Sequence, residues 1–201
     1  MITIVDYGMG NLGSIQNMFK RIGAPARITA DPAELEHADK ILLPGVGAFD
    51  GAMQRINSSG FREVLDRKAL VERVPILGIC LGMQLLTRSS EEGQIPGLGW
   101  IGAETRRFPI SNGLKVPHMG WNAVSQTRPS ALTEGLAPDA RYYFVHSFFV
   151  QVDRDEDSVL KTHYGLTFDA AIAHGNIFGA QFHPEKSHRF GMHLLANFAR
   201  L

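Results

Sequence analysis

The chain has almost no cysteine: Cys80 is the single thiol in 201 residues. That excludes an internal disulfide and any multi-cysteine zinc site. Excess charge of either sign is also missing, with Lys plus Arg and Asp plus Glu at 20 each. Such a balance offers no basic surface for nucleic acid and none for an anionic membrane, so neither is expected as a partner. No apolar run approaches the length of a membrane span. The opening MITIVDYG carries neither a basic n-region nor a small-residue cleavage site. A cytoplasmic location is therefore the expectation. What is present is ordinary globular material, 44% hydrophobic and 20% charged, sufficient for one sizeable core. One domain spanning 1–201 is expected, since no linker, repeat or low-complexity stretch divides the chain.

The first half alternates in pattern. Ile2–Val5 is a short β-branched run, and Leu12–Ile22 has helical spacing, with Leu12, Ile15, Met18, Phe19 and Ile22 on one face. Ala26–Thr29 and Lys40–Leu43 read as strands. Ala48–Ile56 and Phe61–Val71 read as helices split by the turn cluster Asn57–Gly60. Val74–Ile79 is too short for a helix and leads into a second apolar segment, Leu81–Leu86. This alternation argues for an α/β fold with a parallel sheet covered on both faces. The second half reads mainly as strands: Gly97–Phe108, Trp121–Val124, Tyr142–Val152, Val159–His163, Asp169–Ala173 and Ile177–Phe182. His188–Leu201 closes the chain as an amphipathic helix.

Cys80 lies in GICLGMQLL, residues 78–86. A lone cysteine is by default a packed, inert hydrophobe. Here a strand runs into G-x-C-x-G and then into a helix, the context of a nucleophile elbow with cysteine in place of serine. Flanking glycines suit a nucleophile on a strained turn, because neighbours without a Cβ let side chain and substrate approach. The helix start favours thiolate over thiol through its unpaired N–H groups and dipole. The Leu81 N–H, next after the nucleophile, is a natural oxyanion donor. Gln84, four residues on, shares the helix face and is placed to hydrogen-bond a substrate.

A thiolate needs a base, and His183 in GAQFHPEKS is the best of eight histidines. Pro184 keeps His183 extended. Glu185, two residues on in an extended segment, falls on the same side and can orient the imidazole. His188 and His193 are five apart and do not share a helical face as metal ligands would, so no metal is expected. A rival signal is Gly8-x-Gly10-x-x-Gly13 between a strand and a helix, with Asp31 at about the distance of a ribose-binding acid. Against it, Asp31-Pro32 looks like a turn into a new helix. A second glycine loop, PGVGAF (Pro44–Phe49), also follows a strand and would bring a backbone N–H to a ligand at the sheet edge.

Taken together, DYGMGNL, LPGVGAF, GICLGMQLL, SSEEG, KVPHMGWN, YYFVHS and QFHPEKS resemble the class I (triad) glutamine amidotransferases, nearly end to end. Within them they resemble the glutaminase subunits of imidazole glycerol phosphate synthase. The resemblance implies a flavodoxin-like fold, a mostly parallel central sheet with helices on both faces and an added antiparallel portion. It implies hydrolysis of L-glutamine to glutamate and ammonia without a cofactor. The ammonia would pass to a (β/α)8 cyclase subunit in a heterodimer, giving imidazole glycerol phosphate and AICAR in histidine biosynthesis. By the same resemblance Cys80 is the nucleophile, His183 the proton carrier and Glu185 its orienter. Leu81 and the Gly45–Val46–Gly47 loop would meet the oxyanion, and Gln84 with the backbone at Ser147–Phe148 would hold glutamine. Asn11, Met119, Trp121, Tyr143 and Lys186 match partner-interface positions. Gly10-Asn11 would then lie at the partner-facing mouth, with no nucleotide bound. Gly13, Phe148 and Thr87-Arg88 depart from the histidine-pathway pattern. The alternative they raise is a paralogue supplying ammonia to amidinate a sugar nucleotide in surface-polysaccharide biosynthesis.

Overall fold

The computed structural model describes residues 1–109 and 113–201. Its first half is built from β1 (Ile2–Val5), α1 (Leu12–Arg21), β2 (Ala26–Thr29), β3 (Lys40–Leu43), α2 (Phe49–Ser58), α3 (Phe61–Asp66), β4 (Ile76–Ile79) and α4 (Leu81–Leu85). The strands pair in parallel in the order β2-β1-β3-β4. Alternate residues of each strand feed opposite faces. Ile2, Ile4, Leu42, Leu77 and Ile79 enter one core with α1, while Val5, Ile41, Leu43 and Ile76 enter another with α2, α3 and α4. Burial on both faces explains why these runs are continuously apolar rather than alternating. Each large side chain so buried contributes about 1.5–3 kcal/mol.

Helix α1 buries Ile15, Met18 and Phe19. It stops where Gly23 takes φ +73° and the Ala24 N–H reaches the Phe19 carbonyl at 3.0 Å, a glycine-terminated Schellman turn. The helix expected over Phe61–Val71 changes character midway, continuing from α3 as a π-helical turn at Arg67–Val71. There Lys68, almost fully buried, spans to the Glu36 carbonyl and the Glu72 carboxylate, each at 2.6 Å. Asp31 caps a 3₁₀ turn over Pro32–His37, its carboxylate accepting from Ala33 N–H at 2.9 Å. A side chain committed to that cap does not serve a ribose.

The second half contributes β5 (Ser89–Ser90), β6 (Ala103–Arg107), β7 (His118–Ala123), β8 (Ser125–Gln126), β9 (Arg141–His146), β10 (Phe148–Val152), β11 (Ser158–Tyr164), β12 (Leu166–His174), β13 (Ile177–Ala180) and α5 (His188–Arg200). β13 joins β4 in parallel and thereby continues the first sheet. Beyond it β12, β10 and β6 follow in antiparallel succession, and β5 pairs with β6 in parallel at the far edge. β7 and β9 form a separate two-stranded sheet. The strand expected over Tyr142–Val152 is therefore two strands in two sheets, broken at Ser147. The strand expected over Gly97–Phe108 begins only at Ala103, because residues 97–101 pack across the end of α4. Leu98 N–H bonds the Leu85 carbonyl at 2.8 Å and Trp100 N–H the Leu86 carbonyl at 3.0 Å. Helix α5 packs beside α1 in the first core.

Candidate active site

The loops that follow β1, β3 and β4 meet at the carboxyl edge of the parallel strands, where the strand order reverses between β1 and β3. Open α/β sheets bind ligands in such a crevice. Cys80 stands there at φ +54° and ψ −109°, a conformation that costs a non-glycine residue about 1–3 kcal/mol. The surroundings enforce it. Cys80 N–H bonds the Ala180 carbonyl of β13 at 2.8 Å, and its own carbonyl accepts from Met83 and Gln84 N–H in the first turn of α4. The flanking glycines do a different task from the one expected. A Cβ on Gly82 would lie 1.9 Å from the Leu43 carbonyl oxygen, and one on Gly78 would lie 2.5 Å from the Gly82 oxygen. They let the elbow's backbone press against β3 and against itself, which aims the thiol rather than clearing a path for substrate.

His183 and Glu185 arrive from the other half. His183 is extended (φ −99°, ψ 99°), and its N–H bonds the Tyr143 carbonyl of β9 at 2.9 Å. The chain then turns through a 3₁₀ helix at Pro184–Lys186. Glu185 is thus brought to His183 by a turn and not by strand alternation. Its Oε1 accepts from His183 Nδ1 at 2.7 Å, with both side chains buried. Since a carboxylate only accepts, Nδ1 carries the proton. Nε2 is buried with no hydrogen-bond partner in the described structure, and His183 and Cys80 line the same cavity of about 400 Å³. Burial disfavours the charged imidazole, but the neighbouring Cys80 and Glu185 outweigh it and push His183 up to about 10. The site thus favours the protonated imidazole of His183.

The cavity is also walled by Val46, Gly47, Leu81, Gln84, Ser147 and Phe148. Gly45 is absent from the lining. It is a packing position, where a Cβ would sit 2.6 Å from Tyr7 Oη and 2.9 Å from Leu81 Cβ. Gly47 takes φ +111°, a left-handed geometry that leaves its loop's N–H groups free of strand pairing. The Gln84 amide is spent inside the protein: its Nε2 donates to the Phe148 carbonyl and to Gln181 Oε1, each at 3.2 Å. Only its Oε1 remains for a ligand.

Sequence reasoning did not single out four residues that shape this site. Gln181 places its Nε2 3.8 Å from Cys80 Sγ. Tyr7, its hydroxyl held un-ionised by burial, donates to the Pro44 carbonyl at 2.6 Å and anchors the glycine loop. Ser187 accepts from Tyr143 N–H at 3.0 Å and donates to the His183 carbonyl at 2.6 Å. Glu92 lines the cavity while accepting from Phe49 N–H at 3.0 Å. The SSEEG stretch held the signal for Glu92, but nothing local shows that a residue outside the elbow folds back over it.

The interface candidates gather beside the mouth. Met119 and Trp121, on β7, are 61% and 43% exposed. Trp121 meets Tyr143 edge-on, and Lys186 Nζ lies 5.7 Å from the Tyr143 ring centre. Lys186 also lines the cavity. Asn11 is exposed at the start of α1, the helix that packs against the 184–186 turn.

Comparison with known proteins gives a consistent picture. The family "Glutamine amidotransferase class-I" matches residues 3–201. A Bdellovibrio bacteriovorus protein named "Imidazole glycerol phosphate synthase subunit HisH" is 50% identical, with all of both chains covered. "Imidazole glycerol phosphate synthase subunit HisH 2" of Methanococcus maripaludis is 49% identical, covering 100% of this chain and 99% of that one. Among solved structures, PurLQS from Thermotoga maritima superposes with a TM-score of 0.77 at 18% identity, covering 99% and 97% of the two chains. A crystal structure described as glutamine amidotransferase gives 0.76 at 17%, covering 100% and 99%. At that identity the structural likeness shows the fold.

Proposed function

The chain belongs to the class I glutamine amidotransferase family, and we propose that it is the glutaminase subunit of an imidazole glycerol phosphate synthase, with Cys80, His183 and Glu185 as its catalytic set. The observation that carries the assignment of residues is one cavity lined by both the strained Cys80 and His183, whose imidazole is bonded on its other nitrogen to the buried Glu185 carboxylate.

Cys80 Sγ attacks the carboxamide carbon of glutamine, and the developing oxyanion is met by the Leu81 N–H and by an N–H of the Val46–Gly47 loop. His183, protonated at Nε2, gives that proton to the departing nitrogen, so ammonia leaves and a γ-glutamyl thioester remains. Water then attacks the thioester while neutral His183 takes its proton at Nε2. Collapse releases glutamate and restores the thiolate–imidazolium pair. Glu185 holds Nδ1–H throughout, fixing the tautomer. Glu92 is a carboxylate in the cavity lining and suits the α-ammonium of the substrate.

The exposed cluster at Met119, Trp121, Tyr143, Lys186 and Asn11 supports docking of a (β/α)8 cyclase over the mouth, so that ammonia passes between subunits. Among the described residues no helix is long and apolar enough to cross a membrane. Together with a biosynthetic role, this supports a cytoplasmic setting. The relatives share one subunit name, which does not favour the polysaccharide reading. The test is glutamate release by the purified chain, alone and with a cyclase carrying its ribonucleotide. Cyclase-stimulated turnover is expected, and Cys80→Ala should drop it by about 10⁶-fold without changing the fold. Turnover surviving that substitution would overturn the assignment.

A further inference from the structure

Two buried histidines lie outside the triad, His146 in the lining of the cavity and His118 beyond it. His146 ends β9 and His118 begins β7, and their ring nitrogens are 2.9 Å apart (His118 Nδ1 to His146 Nε2). His146 Nδ1 lies 2.7 Å from the Phe148 carbonyl, which can only accept, so the proton of His146 is on Nδ1. Burial holds His146 neutral, its pKa pushed down to about 3, so its Nε2 is a lone pair. His118 must therefore donate from Nδ1. Burial likewise keeps His118 neutral, near 4, and its Nε2 faces Asn122 Nδ2 at 3.4 Å. Asn122 Nδ2 also donates to the His163 carbonyl at 2.9 Å, which fixes the orientation of that amide. Every donor in the row Asn122, His118, His146, Phe148 then points one way.

The row ends on the peptide that needs it. β9 and β10 part company at Ser147, where the chain leaves one sheet for the other and the Ser147 carbonyl already accepts from Phe108 N–H at 3.3 Å. Ser147 and Phe148 line the cavity at that break. The Phe148 carbonyl is held there by His146 from behind and by Gln84 Nε2 at 3.2 Å from the elbow helix. Without His146 the Phe148 carbonyl would keep the Gln84 bond alone. Aromatic packing fixes the rings: His118 stacks between Phe144 at 4.8 Å and Tyr164 at 4.1 Å.

We propose that the His118–His146 pair is a positioning device for the substrate amino acid, holding the Ser147–Phe148 backbone as the wall on which glutamine seats. The proposal rests on the glutaminase reading. The pair touches no reacting atom, so its loss should appear in glutamine affinity and KM rather than in kcat. The row starts on β7, the strand whose opposite face presents Met119 and Trp121.

The experiment uses the full chain. Glutamine affinity is measured by calorimetry in a Cys80→Ala background, and KM and kcat are measured in the cyclase complex with Cys80 intact. His118→Phe keeps the stacked ring and removes the donor, and should weaken glutamine about 10-fold with kcat within about 3-fold. His118→Gln restores a donor and should recover most of the affinity. Should His118→Phe fail to fold, Asn122→Ala at the half-exposed end of the row should weaken binding about 2-fold to 3-fold. Unchanged glutamine affinity in His118→Phe, or a loss that His118→Gln does not repair, overturns the positioning role. Absence of glutamine binding in the Cys80→Ala parent, with no turnover in the complex, instead overturns the glutaminase reading, and this proposal with it.

Discussion

The two halves of the chain make unlike contributions to one site. Residues 1–86 form parallel strands, of which β1, β3 and β4 are apolar and buried on both faces, and they supply the proposed nucleophile on a backbone with no room to spare. Residues from 87 onward add β13 to the parallel strands and otherwise form mainly antiparallel strands, and they supply the proposed proton carrier, the proposed substrate wall and the exposed aromatic surface. The difference follows from connectivity. Parallel strands need crossover helices, which bury everything around the loops at the carboxyl edge. Antiparallel strands can change sheets at a single residue, as at Ser147, and leave a turn's worth of backbone facing the cavity. Rigidity comes from the first half and recognition from the second.

Substitutions test that division, beginning with the largest effect. Glu185→Gln attacks the second half's contribution and should lower kcat by about 10³–10⁴-fold, as loss of an orienting carboxylate does in comparable triads. It should also move the alkaline limb. His183 is raised to about 10, above its unfolded 6.5, so the favourable interaction is fully present below 6.5 and is lost as pH rises through 10. Removing the carboxylate lowers the upper bound, and a pH profile of kcat should fall off earlier. An unshifted limb would mean that Cys80 alone holds the proton on His183.

Gly82→Ala attacks the first half. With a Cβ 1.9 Å from a backbone oxygen, the elbow must shift, and a loss of about 1–3 kcal/mol is expected in denaturant melts, with lost thiol reactivity. The acid side tests the second half again. His118 and His146 stay neutral in the fold at pKa values near 4 and 3, so both favour the unfolded chain once pH drops below about 6.5. His118→Phe removes one of these sites. Its melting temperature relative to the parent should therefore improve as pH falls from 7 to 5. The smallest effect is in the first half: Gly13 is a helical residue of α1, has no positive φ, and a Cβ there meets nothing within 4 Å. Gly13→Ala should stabilise by about 0.4–1 kcal/mol, in contrast to its close-packed counterpart at 82.

Much of this was legible beforehand, unevenly. β1, β2 and β3 fall on the stretches expected for them; β1 and β3 do so because a doubly buried strand announces itself locally as a run of apolar residues. The elbow was legible for the same reason: strand, glycine, cysteine, glycine and helix are contiguous. The break at Ser147 was not, since its cause is a change of sheet partner that no local pattern records. The expectation that Glu185 reaches His183 along an extended segment had the right pair and the wrong path, because the turn at Pro184 is fixed by α5 packing against it. A Cβ on Gly191 of that helix would lie 1.8 Å from the Pro184 carbonyl.

By itself the sequence pointed to the α/β class, the strands of the first half, and the thiol, imidazole and carboxylate that we propose carry the chemistry, since the signals around Cys80 and around His183–Glu185 are each local. Tertiary structure alone decided what the flanking glycines are for, that Gln84 spends its amide on Phe148 and Gln181, and that Glu92 returns to the cavity. It alone also brought His118 and His146, 28 positions apart, into one hydrogen-bonded row. These are matters of distance between backbones far apart in the chain, and they exist only once the two halves have packed.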